Sequence, residues 1–298
     1  MAFLSDEKIR ELSKIANDIR ISIIEMLVEA KSGHTAGPLG MADIFTLFFF
    51  HVLKHDPKNP AWEERDRFVL SNGHICPVYY TVMAYAGYFP KEELKTLRKF
   101  GTRLQGHPHR EYMPWLETSS GPLGAGLSQA VGMALADRMD KKDSSRFIYA
   151  FLSDGELDEG NSWEAIMFAG KNKLRNLIAV VDRNNIQIDG FTENVMPLEP
   201  LAEKWRAFNW HVIEVSGHDF QALNSAVEEA KAVYEKPSVI IAHTIPGKGV
   251  DFIERDYKWH GTPPGISDMP GEPKKEEQGK LALEQLRTLG GKIKSEHQ

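Results

Sequence analysis

The sequence predicts an α/β protein with a mostly parallel sheet covered by helices on both faces. Three observations carry that prediction. Five short apolar runs, at 67–70, 147–152, 177–181, 211–215 and 238–243, alternate with stretches of helical periodicity, the pattern of strands joined by crossover helices. The runs are apolar almost throughout, as strands buried on both faces are. The third observation is the unit 147–190, which contains two such runs with a helical stretch between them. A right-handed β-α-β crossover makes those strands parallel and puts both of their C-terminal ends on one edge, about 5 Å apart if they are neighbours.

In chain order, Ile9, Leu12, Ile15, Ile19, Ile23 and Leu27 form one stripe and predict an amphipathic helix over 5–31, capped by Ser5. Gly and Pro in Ser32-Gly33-His34-Thr35-Ala36-Gly37-Pro38-Leu39-Gly40 predict a loop. Residues 42–53 are apolar on nearly every side, which points to core or to a subunit interface. After the strand at 67–70 come Ser71-Asn72-Gly73-His74, helices over 77–87 and 91–99, and a long functional loop over 101–122. A helix is expected over 126–139. The strand 147–152 stops at Ser153-Asp154-Gly155, helical spacing runs from Trp163 to Leu174, and the strand 177–181 stops at Asp182-Arg183-Asn184-Asn185. A helix over 219–234, with Asp219 as its cap and His218 as turn structure, joins the last two strands. Proline, glycine and charge from Thr262 onward read as linker. The expected organisation is therefore a domain over 1–262 and a linker-like tail over 263–298 with a short helix near 275–289 and frayed final residues.

Composition narrows the function. The 298 residues suffice for a sizeable core, and 42 % hydrophobic with 26 % charged residues is ordinary for a globular protein. A net charge of −6 without a basic stretch argues against nucleic acid as a partner. No apolar run is long enough to span a membrane, and the first residues lack the pattern of a secretory signal. The lone cysteine, Cys76, excludes an intramolecular disulfide framework and reads as a packed residue. A cytoplasmic protein is expected.

The chemistry gathers at the strand ends and at the histidines. The Asp154 carboxylate and the Asn184 amide are hard oxygen donors brought to one edge, a pairing that suits Mg²⁺, or Ca²⁺ in its place, with phosphate oxygens completing the shell. Gly155 allows close approach of a phosphate, and the helix that follows offers free N–H groups. Glu156 and Asp158 add charge nearby, with no indication of whether they face the metal. Five of the 11 histidines adjoin a glycine: His34, His74, His107, His218 and His260. Titratable rings on flexible loops predict a site lined by imidazoles. Zinc at His107 and His109 is disfavoured because no further ligands occur at suitable spacing. Gly247-Lys248-Gly249 lacks the remaining residues of a P-loop, and Gly121, Gly124 and Gly126 follow no strand, which disfavours a dinucleotide site.

Asp-Gly followed by Asn-Asn at this distance resembles the signature of thiamine diphosphate enzymes. Ser32-Gly33-His34 with Pro38-Leu39-Gly40, Leu70-Ser71-Asn72-Gly73-His74, Gly106-His107-Pro108, Ser120-Gly121-Pro122-Leu123-Gly124 and Trp259-His260-Gly261 resemble, in order, motifs of the transketolase family. Two departures occur: Ser153 stands for the first glycine of Gly-Asp-Gly, and Ala36-Gly37 reverses the usual order. The resemblance covers about residues 15 to 262 and implies a thiamine diphosphate-binding fold with the following roles. Asp154, Asn184 and Ile186 are the metal ligands. His74 and His260 contact the cofactor, Gly155 lies by the diphosphate, and the backbone of Gly121, Pro122 and Leu123 faces the aminopyrimidine. Ile188 and Ile245 line the thiazolium. His34, His107 and His260 surround the C1 and C2 hydroxyls and the carbonyl of the donor, and Glu159 and Glu164 sit at a dimer interface that couples two cofactor sites.

Transketolases are about twice as long as this chain, with a second α/β domain at the point where linker composition begins. The missing half carries the glutamate that activates the aminopyrimidine and the arginines that read the sugar phosphate. The expectation is therefore the N-terminal subunit of a split transketolase. It would be active only with a separate C-terminal subunit, in an α2β2 assembly, with the apolar stretch 42–53 as one candidate assembly surface. Two other readings stay open on the sequence: a component of a different thiamine enzyme, of the 1-deoxyxylulose-5-phosphate synthase, 2-oxo acid dehydrogenase or specialised sugar transketolase type, and a non-catalytic scaffold.

Overall fold

A computed structural model describes residues 3–140 and 145–288. Helix α1 (Asp6–Ala30) starts at Ser5, whose side chain accepts from the Lys8 N–H, and ends at Lys31 in the left-handed conformation. The expected loop after it contains a short helix, α2 (Ala36–Gly40), and continues into α3 (Ala42–Leu47), which widens into a π-helical turn over Phe48–Val52. Strand β1 (Arg67–Leu70) precedes α4 (Cys76–Ala86). The helix expected over 91–99 is only a 3₁₀ turn, Lys91–Thr96, because Leu94 and Leu97 are the only side chains of the segment buried there and a longer helix would bury nothing more.

Helix α5 (Ala125–Asp140), strand β2 (Ile148–Ser153), helix α6 (Gly160–Asn172) and strand β3 (Leu177–Arg183) follow. A small hairpin, β4 (Ile186–Gln187) with β5 (Gly190–Phe191), and two short helices, α7 (Thr192–Val195) and α8 (Leu201–Ala207), escape sequence periodicity because each is too short to show a repeating pattern. Strand β6 (His211–Ser216), helix α9 (Phe220–Ala232), strand β7 (Ser238–His243) and helix α10 (Lys275–Thr288) complete the chain.

The five long strands form one sheet in the order β1-β2-β3-β7-β6, and every pairing in it is parallel. Side chains alternate across it, as the pleat requires. Tyr149 and Phe151 of β2 face a core shared with Phe45, Phe48 and the buried side of α1. Ile148, Ala150 and Leu152 face a second core with Leu127, Ile166, Trp205 and Trp210. At about 25 cal/mol for each Å² of apolar surface removed from water, these two cores supply the main drive for folding.

The stretch 42–53 belongs to the first core. Phe45 and Phe48 pack against Phe151 with ring centroids 5.2 and 4.9 Å apart, so most of its apolar side chains are spent inside the chain, while Phe50, Val52 and Leu53 stay partly buried. Residues 275–288 are also integrated: Ala282 and Leu286 are fully buried, and the Asn17 amide of α1 donates to the Leu286 carbonyl at 3.2 Å. The end of the expected tail, from residue 289 on, lies outside the described residues. Among the described residues no helix is long and apolar enough to cross a membrane.

The second core leaves no slack where α6 meets the chain leading into β6. A Cβ built on Gly170 lies 1.8 Å from the Phe208 carbonyl oxygen, a backbone atom that cannot step aside. Gly170→Ala is therefore expected to destabilise the chain by at least about 2 kcal/mol through overpacking. Thermal unfolding with an unchanged midpoint would contradict this packing.

Candidate active site

Parallel pairing sets Ser153 of β2 beside Asp182 of β3, and the Asp154 N–H donates to the Asp182 carbonyl at 3.1 Å. Asp154 and Asn184 therefore leave the sheet at the same edge, one residue beyond each strand. Asp154 is fully buried. Its Oδ1 accepts from the Gly155 N–H at 2.7 Å, and its Oδ2 accepts from the Asn185 N–H at 2.6 Å and from Arg183 Nη1 at 3.1 Å. Burial outweighs these contacts and pushes its pKa up to about 6. Asp182 behind it is pushed up to about 7, chiefly by burial with the Asp154 charge adding to it, against hydrogen bonds from Thr244 and Asn184.

The Asn184 amide is fully oriented. Its Nδ2 donates to Asp182 Oδ2 at 2.7 Å, and its Oδ1 accepts from the Ile186 N–H at 3.0 Å. A carboxylate offers about four acceptor positions and an amide oxygen two. Three on Asp154 and one on Asn184 are taken, so one lone pair on each remains for a cation. This donor set fits a hard divalent ion: two side-chain oxygens of fixed direction in a buried, electronegative place, where a bound cation would favour the ionised carboxylate. Among the described residues no cluster of three or more His, Cys, Asp or Glu competes as a metal site.

Above these residues opens a cavity of about 400 Å³ lined by His34, His74, His107, Gly121, Leu123, Ser153, Gly155, Glu156, Ile186, Gln187, Ile188, Asp189 and His260. Loops from distant parts of the sequence meet there, at the end of the sheet where β1, β2 and β3 run out, which is where ligands bind in open α/β folds. The rings of His34, His74 and His260 form a triangle with centroids 4.8 to 5.4 Å apart. Thr35 ties the first loop to the last: its N–H donates to the His260 carbonyl at 3.4 Å and its hydroxyl to the Thr262 carbonyl at 2.8 Å. Nδ1 of His34, Nδ1 of His260 and both polar atoms of Asn72 are buried without a hydrogen-bond partner among the described residues. Polar atoms are rarely left so, and these fit a ligand rich in acceptors and hydroxyls.

Of the residues expected at the site, Asp154, Asn184, Pro122 and Ile245 are not part of the cavity wall, although Ser153, Gly155 and Ile186, close neighbours of the two oxygen donors, are. Glu159, at the N-cap of α6, and Glu164, within it, are exposed and line no part of the cavity. Two residues take roles that their sequence positions did not show. Glu156 is fully buried, and its carboxylate accepts from the Ser71 hydroxyl, the Gly124 N–H and the Ser153 N–H, pinning three segments to one point. Burial pushes it up to about 7. Arg183 pairs at once with Asp154, Glu193 and Glu199 at 3.1, 2.8 and 2.9 Å, which anchors the strand edge to the segment after β5.

His218 is more than turn structure. Its Nδ1 donates to Asp43, which is also held by Arg20 at 2.6 Å, and its Nε2 accepts from the Ile245 N–H at 2.8 Å. A charged residue inside an otherwise apolar sequence run, as Asp43 is, was the available signal for that network.

Burial drives His34 down to about 3, with His260, Arg98 and His107 adding to the effect, and drives His260 down to about 4. His74 is also held well below the ordinary value by burial and by its histidine neighbours. A lowered pKa means that a proton binds only below it, so these rings are neutral at pH 7, each with one donor and one acceptor nitrogen. In a pH titration followed by histidine NMR, the His34 and His260 ring signals are expected to hold the neutral position from pH 8 down to pH 5. A midpoint near 6.5 for either would contradict the cluster.

Comparison with known proteins meets this geometry. The family described as transketolase, thiamine diphosphate binding domain, matches residues 12–278. A 6-deoxy-6-sulfo-D-fructose transketolase subunit from Clostridium sp. (strain MSTE9) is 46% identical over 257 residues, which cover 86% of this chain and 92% of that protein. An apulose-4-phosphate transketolase subunit from Phocaeicola vulgatus is 39% identical, covering 81% of this chain and 85% of that one. Transketolase 1 from Escherichia coli is 41% identical, but the match is only 40% of its length. The crystal structure of transketolase from Campylobacter jejuni superposes with a TM-score of 0.80 and 33% identity, covering 93% of this chain and 46% of that one. The chain thus spans most of the subunit-sized relatives and less than half of the longer transketolases. It belongs to the transketolase family and carries that family's thiamine diphosphate-binding domain.

Proposed function

We propose that this chain is the diphosphate-binding subunit of a two-chain transketolase, moving a two-carbon ketol unit from a ketose phosphate to an aldose phosphate. One observation carries the reading: five motif loops far apart in sequence converge on a single cavity, whose wall also includes Ser153, Gly155 and Ile186 beside the paired hard-oxygen donors. The subunit-length relatives support the division into two chains; on this reading the partner is a C-terminal subunit in an α2β2 assembly. A ketose with another terminal anion, such as the sulfonated sugar in the name of one relative, is a second donor to assay. A cytoplasmic location belongs to the same reading and agrees with a lone cysteine, Cys76, that is free and buried.

Asp154 and Asn184, with Ile186 beside them, hold Mg²⁺, and Ca²⁺ substitutes on the same oxygens. Gly155 and His74 take the diphosphate side of the cofactor, the backbone from Gly121 to Leu123 the aminopyrimidine, and Ile188, in the cavity wall, the thiazolium. Bound thiamine diphosphate supplies a nucleophilic carbon for the ketose carbonyl. This chain's residues do the rest of what the cavity requires. The neutral rings of His34 and His260 accept and donate hydrogen bonds to the hydroxyls of the sugar, and the donor nitrogens stabilise negative charge that develops on oxygen. His107 stands at the rim, where it orients the substrate. Glu159 and Glu164, exposed on α6, are free to meet a second copy and couple two sites.

The test combines the full chain with its partner, thiamine diphosphate and Mg²⁺, and follows ketol transfer. Asp154→Asn is expected to weaken Mg²⁺-dependent cofactor binding by more than about 10-fold, measured by titration calorimetry. His107→Ala is expected to leave that affinity unchanged and to lower kcat by about 100-fold. Cofactor binding to the Asp154→Asn protein at wild-type strength would overturn the metal assignment. No transfer from any ketose would favour the scaffold reading.

A further inference from the structure

A cation outside the cavity wall, which the motifs do not name, bridges two of the loops that carry its histidines. Arg98 follows the 3₁₀ turn Lys91–Thr96 and adopts a left-handed backbone, φ 58°, a conformation that few residues other than glycine take. Its backbone N–H donates to the Leu104 carbonyl at 2.9 Å, which closes the loop that leads to His107. Leu97 before it is buried, and Lys99 after it pairs with Glu29 near the end of α1 at 2.5 Å. The backbone is thus fixed on both sides of an exposed side chain.

That side chain spans two loops. Nη1 donates to the Ser32 hydroxyl at 3.1 Å, two residues before His34, and Nη2 donates to the Gly106 carbonyl at 3.2 Å, one residue before His107. The same carbonyl accepts from the Cys76 thiol at 3.2 Å. The guanidinium lies so close to Gly106 that a Cβ there would meet Arg98 Cζ at 2.8 Å, so a side chain at 106 would push the fork away. Among the described residues no carboxylate pairs with Arg98, so its charge faces the two histidine loops.

We propose that Arg98 is a positioning residue: its planar fork holds Ser32 and Gly106 at once and so fixes the separation of His34 and His107 across the mouth of the cavity. This rests on the reading above that these two histidines meet the substrate. The geometry requires a fork, since an ammonium is a point charge on a flexible stem and cannot make both contacts in a fixed direction. The electrostatics agree. Burial and then Arg98 hold His107 below the ordinary histidine value, and Arg98 also acts on His34 together with His260 and His107.

The test uses Arg98→Lys and Arg98→Met in the full chain, and has two arms. In the free chain, backbone amide exchange over residues 32–35 and 103–107 is expected to accelerate in both variants, with thermal unfolding unchanged because the side chain is exposed. The His107 titration midpoint is expected to rise in Arg98→Met and to stay in place in Arg98→Lys, which keeps the charge. In the assembled enzyme both variants are expected to lose about 10- to 100-fold in kcat, as a misplacement near 1 Å does, with thiamine diphosphate affinity within about twofold of wild type.

Wild-type exchange in Arg98→Met, or full activity in Arg98→Lys, overturns the proposal. A parallel loss of cofactor affinity and of unfolding temperature also overturns it, by reducing Arg98 to a structural role. If the wild-type assembly transfers no ketol unit, the functional reading fails, while the exchange arm still decides the role of Arg98.

Discussion

The parallel pairing of two central strands governs the rest of the molecule. Because Ser153 is in register with Asp182, the next residues of both strands turn off the sheet together and deliver Asp154 and Asn184 to one place. A slip of one residue would send each strand's side chains to the opposite core and separate the two donors. The register is fixed by packing on both faces, with Tyr149 and Phe151 on one side and Ala150 and Leu152 on the other. The chemistry of the edge is thus secured by hydrophobic burial some distance from it.

Around that edge the chain solves a second problem, keeping long loops in place without regular structure. It uses buried charge. Glu156 collects three segments by accepting from Ser71, Gly124 and Ser153, and Arg183 collects three carboxylates. Arg20, Asp43 and His218 form a third network that ends on the Ile245 backbone. Buried ionic groups of this kind add little net stability, since desolvation cancels most of their attraction, but breaking one partner leaves an uncompensated charge. Their effect is to make a single loop arrangement much better than its alternatives. The same low polarity keeps the histidines neutral, so a fold that excludes water also sets the protonation state of its site.

The fold was legible in the sequence where elements are long and their periodicity is strong. All five strands and the helices α1, α4, α5, α6, α9 and α10 stand within a few residues of the expected bounds, and Ser5 and Asp219 cap α1 and α9 as their side chains predict. The expectations failed where local pattern and tertiary packing diverge. Residues 42–53 read equally as core or interface, and only the neighbouring Phe151 and Tyr149 decide for core. Residues 91–99 read as a helix, but the surface beneath them accommodates only a short 3₁₀ helix over Lys91–Thr96.

Sequence alone determined the chemical inventory: glycine-flanked histidines, an acid and an amide at strand ends, and motif order resembling one family. These are local facts, set by residue type and spacing. Only the tertiary structure decided which groups share a volume. It brought His34, His74, His107 and His260 to one cavity, left Glu159 and Glu164 on an outer face, and brought in Glu156, Arg183 and Arg98. Such contacts join residues tens to hundreds of positions apart, and no periodicity encodes them. They follow from the order in which parallel strands are laid side by side, which burial selects for the chain as a whole.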